Sequence, residues 1–155
     1  MNTQNSRAIL LASVLLFAGL AVAQEKKIKR SDLPPAVEKT VAAQSAGATV
    51  KGFSKETEKG QTYYEAEMIV NGHSKDLLID TNGAIVEVEE EVAMDALPAE
   101  VKAGLQAKAG EGKLVKVETL TKQDKLVAYE AQVTRAGKKS EVQVGPDGKP
   151  LDHEE

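Results

Sequence analysis

Side-chain chemistry needs a nucleophile beside a base, a metal-ligand set, or two carboxyl groups at a workable separation. The 155-residue chain has no cysteine, and its two histidines are His73 and His153. Neither stands at a metal-ligand spacing from the other. His73 follows "NG" at 71–72 and reads as a solvated turn residue, and His153 reads as a strand-end residue. Carboxylates are plentiful. The runs "EVEEEV" at 87–92 and "DHEE" at 152–155 could hold divalent cations loosely, although charge runs ordinarily form solvated faces. "DTNG" at 80–83 resembles the start of a calcium loop, but Ala84, Ile85 and Val86 fill positions where further oxygen ligands would be needed. The expectation is a non-enzyme with no cofactor and no metal centre.

The elements that must position any binding surface begin after a leader. Arg7 precedes the apolar run "AILLASVLLFAGLA" at 8–21, and "AVA" at 21–23 offers small residues for cleavage. This is the layout of a signal peptide over 1–23. The run is short for a membrane span, and "QEKKIKR" follows it at once. The expected location is therefore periplasmic or secreted, with no stable membrane anchor once the leader is removed. Losing Arg7 from 20 Lys and Arg leaves 19 basic against 24 acidic residues. That balance argues against nucleic acid, whose phosphates need a basic surface. Residues 24–31 read as a flexible start, too poor in apolar residues to hold a lipid surface firmly.

The remainder repeats itself. "LPPAVEKTV" at 33–41 matches "LPAEVKAGL" at 97–105 with an offset of 64, and Tyr64-Glu65-Ala66 matches Tyr129-Glu130-Ala131 with an offset of 65. The inserted residue is placed in the glycine-rich "AGEGK" at 109–113. The copies span 32–92 and 96–155, joined by "AMDA" at 93–96. Each opens with a helix whose stripe is Leu33, Val37 and Val41, or Leu97, Val101 and Leu105. Strands with period-two alternation follow, divided by turn signals at "NG", "AG", "DTNG" and "GPDG". A fourth strand carries Val86 and Val88, matched by Leu151 and His153. The fold class is α+β, with two tandem αββββ units, each a helix packed on a four-stranded antiparallel sheet.

Leu33, Pro34, Val37, Tyr64, Glu65, Ala66 and "DTNGAIVEV" at 80–88, with Leu97, Pro98, Val101, Tyr129, Glu130, Ala131 and "GPDGKPLD" at 145–152, resemble the tandem units of PepSY-like, or β-lactamase-inhibitor-like, proteins. The resemblance spans the chain after the leader. It implies a periplasmic or secreted non-enzyme that binds or restrains another protein, for example a peptidase. It brings no agreed site residues with it.

The candidate partner surface comes from a difference between the copies. Facing away from the helix of the first copy, the reading places Phe53, Tyr63, Ile69, Leu78 and Ile85; their partners in the second are Glu118, Ala128, Thr134, Gln143 and Pro150. An antiparallel sheet with one solvated face should be polar on that face. Either the second copy or the linker covers the apolar set, or the set is open to a protein or extended peptide. The alternative function is low-affinity divalent-cation binding or stress buffering through the acidic runs.

Overall fold

The structure, a computed structural model, describes residues 25–58, 60–153 and 155. The expected leader lies outside these residues. Eight antiparallel strands form one open sheet in chain order: β1 (Lys26–Ile28), β2 (Thr49–Glu58), β3 (Gln61–Val70), β4 (His73–Asp80), β5 (Ile85–Glu91), β6 (Lys113–Lys122), β7 (Lys125–Arg135) and β8 (Lys138–Val144). Two helices, α1 (Pro35–Gln44) and α2 (Ala99–Ala109), precede β2 and β6.

Both helices start behind prolines, Pro34 and Pro98, where a missing amide is harmless. Glu38 and Glu100 sit in the first turns, favourable to the helix dipole. Each expected stripe is buried. Val37 and Val41 pack with Phe53, Ala66, Met68, Leu77 and Ile79; Val101 and Leu105 pack with Val117, Ala131 and Val144. Burying each such aliphatic side chain contributes roughly 1.5–3 kcal/mol. Strand register puts both clusters on the same face of the sheet, so among the described residues no helix lies on the opposite face.

The tight turns follow the hairpin logic. Asn71 and Gly72 both take positive φ, 52° and 90°, which suits the twist of the flanking strands. Ala136 and the unforeseen pair Gln123 and Asp124 adopt the same left-handed geometry.

The structure corrects the sequence reading in four places. First, β5 pairs with β6 from Glu87↔Lys122 to Glu91↔Glu118, so the repeats share one sheet instead of forming two separate four-stranded ones. Second, Leu151 and His153 form no strand, and the second repeat contributes three strands after its helix. Third, the described part of the expected flexible start, 25–31, is tied down, since Lys26–Ile28 pairs with β2 and Arg30–Asp32 makes a 3₁₀ turn tied to α1 by the Arg30–Glu38 ion pair at 2.8 Å.

The fourth correction concerns strand faces. Phe53 lies opposite Ala66, as Val117 lies opposite Ala131. The offset of 64 therefore persists through β2 and β6. The extra residue is Val127, bulged where the β6–β7 register shifts, and not a residue of the glycine-rich turn. Phe53 is consequently 8% exposed in the first core cluster. Ile85 also moves inward. A bulge between β4 and β5 sets it opposite buried Ile79, and it packs against the same cluster.

Candidate functional site

Alternation along each strand delivers every second side chain to the helix-free face. Three rows cross it. Ser54, Glu65, Leu78, Glu87 and Lys122 are successive cross-strand neighbours. Glu67, Asp76, Glu89, Leu120 and Ala128 make the second row. Glu91, Glu118, Glu130 and Gln143 make the third. Carboxylates thus stand directly opposite carboxylates at Glu67–Asp76, Asp76–Glu89, Glu91–Glu118 and Glu118–Glu130. Like charges in that relation are destabilising.

Of the apolar candidates, Tyr63, Ile69 and Leu78 do lie on this face, half-buried, whereas Phe53 and Ile85 lie beneath the helix. The second repeat sits beside the first through β5 and β6 and does not cover it. Leu120, 2% exposed, and Ala128, fully buried, continue the apolar surface into the second half.

The face is crowded although no helix covers it. Glu118 and Glu130 are 4% and 7% exposed. Their polar atoms are held locally. The Ser54 hydroxyl donates to Glu65 Oε2 at 2.8 Å, and the Gln143 amide donates to Glu130 Oε2 at 2.7 Å. Lys116 Nζ donates to Glu118 Oε1 at 2.6 Å and to Ser74 Oγ at 3.3 Å. Lys122 lies 3.6 Å from Glu87 and 3.4 Å from Glu155, whose amide donates to Gln143 Oε1 at 2.9 Å.

At the centre, Asp76, Glu89 and Glu118 bring carboxylate oxygens within 4.8 Å of one another, beside the Lys116 ammonium. Burial, reinforced by Glu130, Glu118, Glu87 and Asp76, pushes the Glu89 carboxyl up to about 9. Burial with the charges of Glu65 and Glu118 pushes Asp76 up to about 7, against the pull of Lys116. Glu130 is likewise pushed up to about 7 by burial, despite its bond from Gln143. Glu56 reaches about 7 through burial and neighbouring glutamates, and burial also raises Glu65 and Glu87. Burial alone would lower Lys116; its bond to Glu118 and the surrounding carboxylates hold it above its ordinary value. Glu91 moves the other way, lowered by the Ser74 amide.

The acidic run 87–92 forms no single loop of ligands. Glu87, Glu89 and Glu91 face the bare side, while Val88 and Glu90 face the helices. His73 is exposed, 3.8 Å from Glu91, and His153 is exposed, 3.9 Å from Glu155. A shallow depression of about 430 Å³ is lined by Glu25, Lys26, Lys55 and Thr57, with no nucleophile–base pair. Sequence reasoning turned Glu65 and Glu118 outward and named the run that holds Glu89, but did not single out Asp76 or Lys116 or bring these groups together. The signal was there, since acidic residues recur at every second position in 65–67 and 87–91.

No protein-family model matches the chain, and no curated relative matches it. Solved structures do resemble it. A candidate periplasmic protein of Bacteroides eggerthii superposes with a TM-score of 0.61 at 20% identity, covering 77% of this chain and 86% of that one. A BLIP-like protein of Bacteroides fragilis gives 0.55 at 23% identity, covering 79% and 86%. A DUF2874 family protein of Bacteroides ovatus gives 0.58 at 19% identity, covering 78% and 86%. Among the described residues no helix is long and apolar enough to cross a membrane. At these identities the likeness is one of fold alone.

Proposed function

We propose that the chain is a non-enzymatic periplasmic binding module whose helix-free sheet face holds a partner protein through a cationic, extended segment. The observation that carries this reading is the row pattern of the face. Consecutive carboxylates oppose one another across β3–β4–β5 and β5–β6–β7, beside the apolar side chains of Tyr63, Ile69, Leu78 and Leu120. Such an arrangement is unfavourable in the free protein, and a ligand bearing lysine or arginine relieves it. The apolar strip gives that ligand something to bury. Fold likeness to a BLIP-like protein supports a protein-binding role, and the candidate periplasmic neighbour supports the location. Restraint of an envelope enzyme is one form such binding takes.

The test is affinity capture from envelope extract, followed by titration with each captured protein in purified form. A parallel bait carries Glu65→Gln, Asp76→Asn and Glu130→Gln, which keep shape and remove charge. A partner that binds the native face, weakens with salt and loses about tenfold or more on the neutralised bait supports the reading. Equal binding to both baits refutes it.

A further inference from the structure

Resting on that reading, we infer that the helix-free face is a proton-operated switch. Carboxyls of Asp76, Glu89 and Glu130 hold protons in the free protein at mildly acidic pH, and release them as pH rises to leave a strongly anionic surface receptive to a cation-bearing partner.

The geometry leaves these groups little else. Two carboxylates that share one place cannot both ionise cheaply, and the second keeps its proton. Asp76 on β4 meets Glu67 and Glu65 of β3 on one side and Glu89 of β5 on the other, with Glu118 and Lys116 of β6 nearby. Glu89 faces Asp76 and Glu118, with Glu87 on its own strand and Glu130 of β7 acting from farther along the face. Glu130 meets Glu118 of β6 and Gln143 of β8, with Glu141 and Glu87 adding negative charge.

The two lysines that touch the carboxylates of this face are already engaged, Lys116 by Glu118 and Lys122 by Glu87 and Glu155, while register also places Lys27, Lys125 and Lys139 on it. Among the described residues no ion pair reaches Asp76, Glu89 or Glu130. Protons are what remains to neutralise them. Their titration near and above neutrality agrees with the packing. A docking ammonium or guanidinium competes with those protons, so binding and proton release are linked.

The experiment uses the protein expressed with its own leader and purified from the envelope fraction. Side-chain carboxyl resonances are followed by carbon-13 NMR from pH 4 to pH 10. Midpoints above about pH 6 for Asp76, Glu89 and Glu130 are expected from burial and like-charge opposition. Midpoints all inside the ordinary carboxylate range, about 3.5–4.5, overturn the inference without touching the docking reading. A decalysine peptide then serves as probe in calorimetry at pH 6 and pH 8.5, in two buffers of different ionisation enthalpy. Affinity should rise about tenfold for each carboxyl near 7 that must ionise, with protons released to the buffer. Binding that is equally tight at both pH values overturns the switch alone. No binding at either pH, with high NMR midpoints, overturns the docking reading and the receptive half of the switch together.

Discussion

The glycine that recurs as Gly83 and Gly148 makes a sharp stability prediction. Gly83 sits at φ +85° in the turn between β4 and β5, pressed against α1. A Cβ there would stand 2.6 Å from the Ala36 carbonyl oxygen and 3.2 Å from Thr40 Oγ1. The Thr40 hydroxyl donates to the Gly83 carbonyl at 2.6 Å. Gly83→Ala therefore combines three losses. Left-handed backbone costs a residue with a Cβ roughly 1–2 kcal/mol. A lost hydrogen bond costs about 1 kcal/mol. The turn must also withdraw from the helix, so a total of about 3 kcal/mol is expected. Gly47 supplies the control, because it has φ +79° and nothing within 4 Å of the added Cβ. Gly47→Ala should lose only the conformational part, roughly 1–2 kcal/mol. Gly148→Ala should also lose more than Gly47→Ala, since its Cβ would strike the Glu100 carbonyl of α2, although Gly104 stands where Thr40 does and there is no hydroxyl bond to lose. The assay is urea unfolding followed by circular dichroism. Equal midpoints for the Gly83 and Gly47 variants would refute the claim that contact with the helix fixes the repeat's glycine.

Three further outcomes are expected. Glu130→Gln should leave stability unchanged below about pH 4 and raise it at pH 9. A carboxyl raised in the fold stabilises fully below its unfolded value and loses that contribution as pH rises through about 7. The limit is about 3 kcal/mol, and roughly 2 kcal/mol after solvent relaxation, read from thermal melts at both pH values. Lys116→Met removes the cation beside Glu118, which is 4% exposed, and should cost about 3 kcal/mol at pH 8 by urea unfolding. Phe53→Ala should cost about 3–5 kcal/mol as a core truncation, whereas Tyr63→Ala on the helix-free face should cost under about 1 kcal/mol. Similar losses for both would contradict the assignment of faces.

The helix stripes and the central strands were legible because their signal is local. Leu33, Val37 and Val41 recur at helical spacing, Tyr64, Ala66 and Met68 at strand spacing, and all are buried. The errors trace to bulges, which change which face a residue meets without a reliable mark in sequence. Misplacing Val127 in the glycine-rich turn turned Phe53 outward, and the bulge before Ile85 did the same for that residue. Of the five apolar candidates, Tyr63, Ile69 and Leu78 lie on the face that the sequence reading assigned them. The acidic cluster went unseen as a cluster because Asp76, Glu89 and Glu118 come from three strands. Their meeting depends on β5 pairing with β6, a contact between repeats that no spacing within one repeat announces.

That pairing also protects the molecule from itself. An unpaired strand edge is a template on which other chains can grow. If the repeats stood apart, β5 and β6 would each present such an edge, and joining them hides both at once. The two margins that remain are unattractive. β1 is three residues long and carries Lys26 and Lys27, while β8 displays Lys138, Lys139 and Glu141. Joined along this seam, each half guards the other against fibre growth. A chain nicked in the linker at 93–96 should keep its halves together along that seam, and either half made alone should self-associate through the strand its twin would have covered.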